Sequence, residues 1–308
     1  GEYTATVGSE NDNDTTEVVV KEPGNFAVKI TDTNSPVAEG DALSVGFRVN
    51  NTGDEGDTQT VTLDAGALGA NSTTVSLNGG ASTTGALTLG TGPGDAGEYT
   101  ATVGSENDSD SVGVTVNEPA NFSVTIDSTN SPVTEGETLE VNATVDNTGD
   151  ESDTQTVELG VGGELRDKKD VTLDSDETLT ITLGWETSVG DGGDYEATVE
   201  SDDNSDSTGV TVREPANFTV NITGKNSPVI EGEDLMINYT LSNEGDVEDE
   251  QTVSFRVDGN EEEKRNVTLR GGETFEGLFT YTTSEGDAPE VVAEVRTEDD
   301  VDEETARV

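Results

Sequence analysis

A motif that recurs at one fixed interval constrains this chain more than any other feature. Glu22-Pro23-Gly24-Asn25-Phe26 returns as Glu118-Pro119-Ala120-Asn121-Phe122 and as Glu214-Pro215-Ala216-Asn217-Phe218, 96 residues apart each time. Asn34-Ser35-Pro36-Val37 returns at 130 and 226. Asn51-Thr52-Gly53-Asp54 returns as Asn147-Thr148-Gly149-Asp150 and Asn243-Glu244-Gly245-Asp246. Gly97 to Val103 matches both Gly193 to Val199 and Gly1 to Val7. Three full units therefore occupy 21–116, 117–212 and 213–308, and residues 1–20 correspond to the last two strands of a preceding, truncated unit. No insertion or deletion separates copies that have diverged at many positions. A length held this strictly is expected of a folded repeat with fixed connections.

Composition alone would point elsewhere. Hydrophobic residues make up 29% of the chain and the formal net charge is −53, a combination that usually leaves too little apolar surface to offset chain entropy. Folded proteins of saturated brine share these numbers, and the repeat selects that class. Within each unit the apolar residues alternate, the period of half-buried strands. In the first unit the inward sets are Phe26, Val28, Ile30; Leu43, Val45, Phe47, Val49; Val61, Leu63; Val75, Leu77; Leu87, Leu89; Tyr99, Ala101, Val103; and Val112, Val114, Val116. The second unit keeps the phase, with Leu179, Ile181, Leu183 and Trp185 in its fifth main strand, and the third does so with Phe275, Phe279 and Tyr281.

Seven short strands per unit, broken by Gly, Asn, Asp and Pro, predict an all-β chain of tandem immunoglobulin-like or fibronectin-III-like antiparallel sandwiches in a linear array. The linkers carry a Pro and are too short to swing freely. Residues 1–20 offer only two strands, and their set Tyr3, Ala5, Val7, Val18 and Val20 calls for an opposing sheet, supplied by chain upstream or by another subunit.

Four pieces in order carry a family resemblance: Val145-Asp146-Asn147-Thr148-Gly149-Asp150, Thr156-Val157-Glu158-Leu159, Leu179 to Trp185, and Gly193 to Val199. Together they resemble the CARDB domain, the cell-adhesion-related domain found in bacteria and in archaeal surface proteins. The resemblance implies an immunoglobulin-like sandwich in an extracellular protein with no catalytic residues. With this acid content it looks like a haloarchaeal member.

Residue types exclude several functions. There is no Cys and no His, which removes disulfide scaffolds, Cys/His zinc sites and thiol or His-based catalysis. Against 67 acids stand 14 Lys and Arg, so neither nucleic acid nor an anionic membrane surface is an expected partner. No apolar run approaches the roughly 20 residues of a membrane-spanning helix. Acids fall at outward strand positions or in turns, where nothing shifts a carboxyl toward acid–base work. No Lys phase is shared by all three units, which argues against internal Lys–Asn crosslinks. Trp185 and Tyr281 sit at inward phases, as core.

Two kinds of site remain. Asn-x-Ser/Thr sequons occur at Asn13, Asn50, Asn71, Asn107, Asn121, Asn142, Asn217, Asn221, Asn238 and Asn266. Asn121, Asn142, Asn217, Asn221 and Asn238 fall on outward strand positions, where a glycan is tolerated. Two acidic loops also recur per unit. Asp54 and Asp57 with Asp108 and Asp110, then Asp150 and Asp153 with Asp202 and Asp206, share one end of an immunoglobulin-like unit. Oxygen ligands suit Ca²⁺, the one candidate cofactor, although a brine-adapted acidic shell accounts for the same residues. The sequence reading is thus a non-enzymatic extracellular structural protein of an extreme halophile, in a stalk, filament or surface layer, with other copies, other surface proteins and N-linked glycans as partners. An adhesin or viral receptor-binding fibre, or the spacer repeats of a large secreted enzyme, are the alternatives.

Overall fold

The computed structural model describes residues 1–308 and is built almost wholly of strands, with one short 3-10 turn at Gly66–Leu68. By contact the chain divides into two compact units, Gly1–Phe122 with 146–154 and 172–178, and 123–145 with 155–171 and 179–308.

The first unit opens with a hairpin of β1 (Glu2–Ser9) and β2 (Asp12–Val19). Every residue of both strands is exposed, Val7 at 79% and Tyr3 at 60%. The opposing sheet expected over Tyr3, Ala5, Val7, Val18 and Val20 is therefore not supplied within this chain. The hairpin rests on its own ladder and on the Val20 N–H to Gly1 carbonyl bond.

Eight strands follow: β3 (Phe26–Thr33), β4 (Val37–Ala38), β5 (Ala42–Asn51), β6 (Asp57–Asp64), β7 (Ala70–Leu77), β8 (Ser82–Gly90), β9 (Gly97–Gly104) and β10 (Ser109–Asn117). They form a sheet of order β3-β5-β8 and a second of order β4-β10-β9-β6-β7. One core joins the two. Phe26, Val45, Phe47 and Leu89 from the first sheet pack with Val61, Leu63, Ala101 and Val114 from the second, so the pair is a sandwich. Seven strands were expected, all antiparallel. The eighth, β4, arises because the chain leaves the first sheet at Asn34-Ser35-Pro36 and its next two residues join the edge of the second sheet, parallel to β10.

The plan recurs in β11 (Phe122–Thr129), β12 (Val133–Thr134), β13 (Thr138–Asn147), β14 (Asp153–Val161), β15 (Glu164–Leu173), β16 (Thr178–Glu186), β17 (Gly193–Glu200) and β18 (Ser205–Arg213), with sheets β11-β13-β16 and β12-β18-β17-β14-β15. The third copy keeps the plan without a counterpart of β4, in the seven strands β19 (Phe218–Lys225), β20 (Asp234–Asn243), β21 (Asp249–Val257), β22 (Asn260–Leu269), β23 (Thr274–Thr282), β24 (Glu290–Arg296) and β25 (Val301–Arg307), with sheets β19-β20-β23 and β22-β21-β24-β25. Within the three full repeats the alternation predicts the buried face well, with one exposed exception. Leu179 remains 42% exposed, because it is only the second residue of β16, at the strand's end.

One detail marks the first two sandwiches as immunoglobulin-like. Tyr99, near the start of β9, donates its hydroxyl to the Asp95 carbonyl at 2.8 Å, and Tyr195 does the same to Asp191 at 2.9 Å. Such a bond from the sixth main strand back to the preceding corner locks that corner. The third copy has Val291 at this position, buried at 1%.

The cores also trade volume between equivalent positions. Phe47 lies opposite Gly85, whose Cβ would approach the Phe47 ring at 2.9 Å. The equivalents are Ala143 with Ile181, and Tyr239 with Gly277. Large with small, small with large, and large with small fill the same space. Ile181→Gly is expected to cost about 3–5 kcal/mol through the cavity it opens. Adding Ala143→Phe should recover most of that, as native Phe47–Gly85 does. Trp185 is the only tryptophan, so its fluorescence during denaturation reports this core; equal instability of the single and double variants would disprove the compensation.

Candidate functional site

The recurring polar residues converge on one end of each sandwich, and an asparagine stands at its centre. Asn51, Asn147 and Asn243 end β5, β13 and β20 and are each 1% exposed. The Oδ1 of Asn147 accepts from the N–H groups of Asn121 and Gly149, both at 3.1 Å. Its Nδ2 donates to the carbonyls of Glu151, Leu173 and Asp174 at 2.8, 3.4 and 3.1 Å. Asn51 and Asn243 repeat the pattern on equivalent groups. A buried amide with both ends satisfied ties three loops together.

The residue two places on must be glycine. A Cβ at Gly53, Gly149 or Gly245 would run into the carbonyl oxygen of Pro23, Pro119 or Pro215. The following aspartate holds the linker. Asp54, Asp150 and Asp246 each accept, through Oδ2, the N–H of Glu22, Glu118 and Glu214 at 3.0–3.1 Å, and each returns its own N–H to that glutamate's carbonyl. The linker is therefore hydrogen-bonded to the loop of the repeat that follows it. The residue just before that glutamate joins in: Asn117, the last of β10, donates to Glu151 at 2.6 Å, and Lys21 lies 3.9 Å from Glu55.

The second acidic loop has a different use. The first strand of each sandwich pairs along one edge only, which leaves alternate N–H groups unpaired on the other. Side chains at the start of the last strand fill that edge. Phe26, Val28 and Ile30 donate to Asn107, Asp108 and Asp110 at 3.1, 2.9 and 2.9 Å. Val124 and Ile126 donate to Asn204 and Asp206 at 3.3 and 2.8 Å. Phe218, Val220 and Ile222 donate to Asp299, Asp300 and Asp302 at 2.8, 3.0 and 2.6 Å. Side-chain oxygens thus bridge the two sheets and close an edge that would otherwise invite strand addition. Asp206→Ala strands the Ile126 N–H and should cost its repeat about 1.5–3 kcal/mol. Asp206→Asn keeps an acceptor and should cost far less. The Trp185 denaturation midpoint in molar salt distinguishes the two; identical losses would refute the ladder.

Of the acids considered as Ca²⁺ ligands, Asp54 and Asp150 thus hold linkers, and Asp108, Asp110 and Asp206 hold edge strands. Asp57 accepts from Thr58 N–H and from Gln59 Nε2, at 2.8 and 2.7 Å, and Gln59 also reaches Asn107 at 2.5 Å, so the two loops do meet. Asp153 accepts the Thr154 N–H. Asp202 contributes its backbone N–H to Gln155 at 3.2 Å. The loops meet through an amide rather than a knot of carboxylates, and no group of three or more acids is arranged to hold a metal ion. The alternation of Asn and Asp at 107, 203 and 299, and at 108, 204 and 300, was a legible signal. Where either residue serves, the position requires an acceptor oxygen and not a charge.

The sequons differ in what their amides already do. Asn13, Asn217, Asn221 and Asn238 are exposed and make no side-chain hydrogen bond. Asn71 donates to the Thr88 carbonyl and Asn121 to Thr148. Asn107 is a ladder rung. Asn50 and Asn142 are half-buried and Asn266 is exposed, and all three are hydrogen-bonded to neighbouring side chains. Trp185 is 5% exposed, edge-on to Tyr195 at 5.4 Å and covered by the Arg166 guanidinium at 4.4 Å. In the third copy Arg265 covers Phe279 in the same way and is paired with Glu263. The Tyr239 hydroxyl is buried without a partner, and burial pushes its phenol above the ordinary range.

Fold and site together define a class: tandem immunoglobulin-like β-sandwiches whose repeated polar groups build the sandwich and anchor its linker. Residues 119–208 match the CARDB family. No curated protein matches the chain. Among solved structures it is similar to a three-immunoglobulin-domain fragment of titin in a Glu-to-Ala variant, at 17% identity and TM-score 0.32, over 90% of this chain and 97% of that one. It is similar to the N-terminal eight immunoglobulin domains of Down Syndrome Cell Adhesion Molecule, at 14% identity and TM-score 0.28, over 100% of this chain and 46% of that one. Red sea bream transglutaminase is similar at 11% identity and TM-score 0.25, over 60% of this chain and 31% of that one. No helix is long and apolar enough to cross a membrane.

Proposed function

We propose that the chain is a non-enzymatic structural repeat protein of a cell surface, part of a stalk, filament or surface layer adapted to concentrated salt, with 21–116, 117–212 and 213–308 as its domains. The observation that carries this reading is the way each linker is held. Glu118 is hydrogen-bonded to Asp150 through both its N–H and its carbonyl, and Glu214 to Asp246 in the same manner. Tension arriving along the chain passes into the loop locked by the buried asparagine, rather than into a loose hinge. The acids support the reading too: those that repeat serve as acceptors for backbone N–H groups, and the CARDB match agrees with an extracellular setting. Glycans, where present, belong on the free amides of Asn13, Asn217, Asn221 and Asn238.

The test is protease treatment of intact source cells in molar salt, followed by mass spectrometry of the released peptides. Peptides of this chain are expected in the released fraction, with added hexose-containing mass on those spanning Asn217, Asn221 or Asn238. Recovery of the chain only from the soluble interior would overturn the reading.

A further inference from the structure

The charge of this protein is not spread evenly. From Ala65 to Gly94 there is neither an acid nor a base, although 26% of all residues are charged. That stretch forms β7 and β8. β7 is an edge strand with a backbone ladder to β6 on one side and to no strand on the other; one side chain, that of Asn71, donates to the Thr88 carbonyl of β8, and all but Val75 and Leu77 are exposed. The equivalent edge strands are charged: β15 presents Lys168 and Lys169 between Asp167 and Asp170, and β22 presents Lys264 and Arg265 after Glu261, Glu262 and Glu263. Charges on an edge strand are the common device against strand addition. The first repeat lacks it at the matching positions, Ser72 and Thr73. Its outer surface is hydroxyl-bearing, with Thr58 and Ser76 joined across β6 and β7 at 2.7 Å.

We infer that β7 is an interface between two copies of this chain, pairing edge to edge and antiparallel about a two-fold axis, so that two five-stranded sheets become one. The occupant follows from charge. In molar salt the screening length is only about 3 Å, so the electrostatic cost of contact is set by the charges that face each other inside the interface. A second copy with a net charge of −53 meets repulsion at charged edges but none where neutral β7 faces neutral β7. A cationic partner would instead be drawn to the acid-rich surfaces elsewhere. The pairing supplies lateral association for the surface array proposed above and rests on that reading.

The test is analytical ultracentrifugation of the full chain in molar NaCl, comparing wild type with S72K/T73K. The variant installs in the first repeat what Lys168 and Lys169 already are in the second, so the fold should accept it, and circular dichroism checks that it does. Thr74→Asp, which copies Asp170, serves if the double variant misfolds. Wild type is expected to dimerise at micromolar concentration, with slowed amide exchange across residues 71–77. Either variant should weaken the dimer by about tenfold or more. A wild type that stays monomeric at tens of micromolar, or variants that associate as tightly as wild type, would overturn the interface. The surface reading would then still be decided separately, by the release of peptides from intact cells.

Discussion

At about 10 mM NaCl the chain is expected to lose most of its β-sheet circular dichroism, and to regain it as NaCl is raised into the molar range. The reason is arithmetic and geometric together. The 67 acids face 14 basic residues, and the cations that do pair form single, partly exposed contacts such as Lys264 with Glu261 and Arg270 with Glu248. Pairs of that kind contribute little, so the relief of repulsion must come from solvent ions. The Debye length falls from roughly 30 Å at 0.01 M to about 3 Å at 1 M. At the lower salt each acid therefore feels many others across its sandwich, and a core of modest size has little stability in reserve. Millimolar CaCl₂ added at low salt separates two roles for the acids. Recovery at an ionic strength where NaCl gives none would assign a divalent site to the loops of Asp54, Asp57, Asp108 and Asp110. Equal response to both salts would assign them diffuse screening alone. A chain equally folded at about 10 mM and about 2 M NaCl would refute the salt-adapted reading.

Asn147→Ala is expected to destabilise the middle repeat by about 3–5 kcal/mol, a large share of what a domain of this size possesses. The side chain makes five hydrogen bonds from a position 1% exposed. Its removal takes the acceptor from the Asn121 and Gly149 N–H groups and this donor from the Glu151 and Leu173 carbonyls at a site water reaches poorly, while the Asp174 carbonyl keeps the Glu177 N–H. Asn147→Asp should fare no better, since it keeps the acceptor but loses the donor and places a carboxylate against three carbonyl oxygens. Trp185 lies in the same repeat, so a urea titration in molar salt followed by its fluorescence reads this repeat directly. An unchanged midpoint would show that the asparagine is not what holds the loops.

The strand pattern was open to sequence reasoning because it depends on each residue's nearest alternatives. Phe122, Val124 and Ile126 alternate with polar residues, and a two-residue period has one physical meaning whatever lies opposite. The Asn-x-Gly motif was visible as a motif, but its reason was not. Gly149 is required by the Pro119 carbonyl, thirty positions earlier in the chain. The acids show the same limit. Spacing presented Asp108 and Asp110 as oxygen ligands for a cation, because a carboxylate beside carboxylates suggests one. Folding brings β3 alongside them with its unpaired N–H groups, a partner about 80 positions away that spacing could not show.

Periodicity, unit length, the identity of the buried face and the excess of negative charge were determined by the order of residues, since each follows from local stereochemistry or from counting. The tertiary structure alone decided which long-range partners meet. It showed that Phe47 and Gly85 share one volume, that β4 crosses to the second sheet, and that the recurring acids serve backbone amides distant in sequence. Such pairings are set by which chain segments pack side by side, and residues far apart in sequence carry no local mark of the neighbour they will meet.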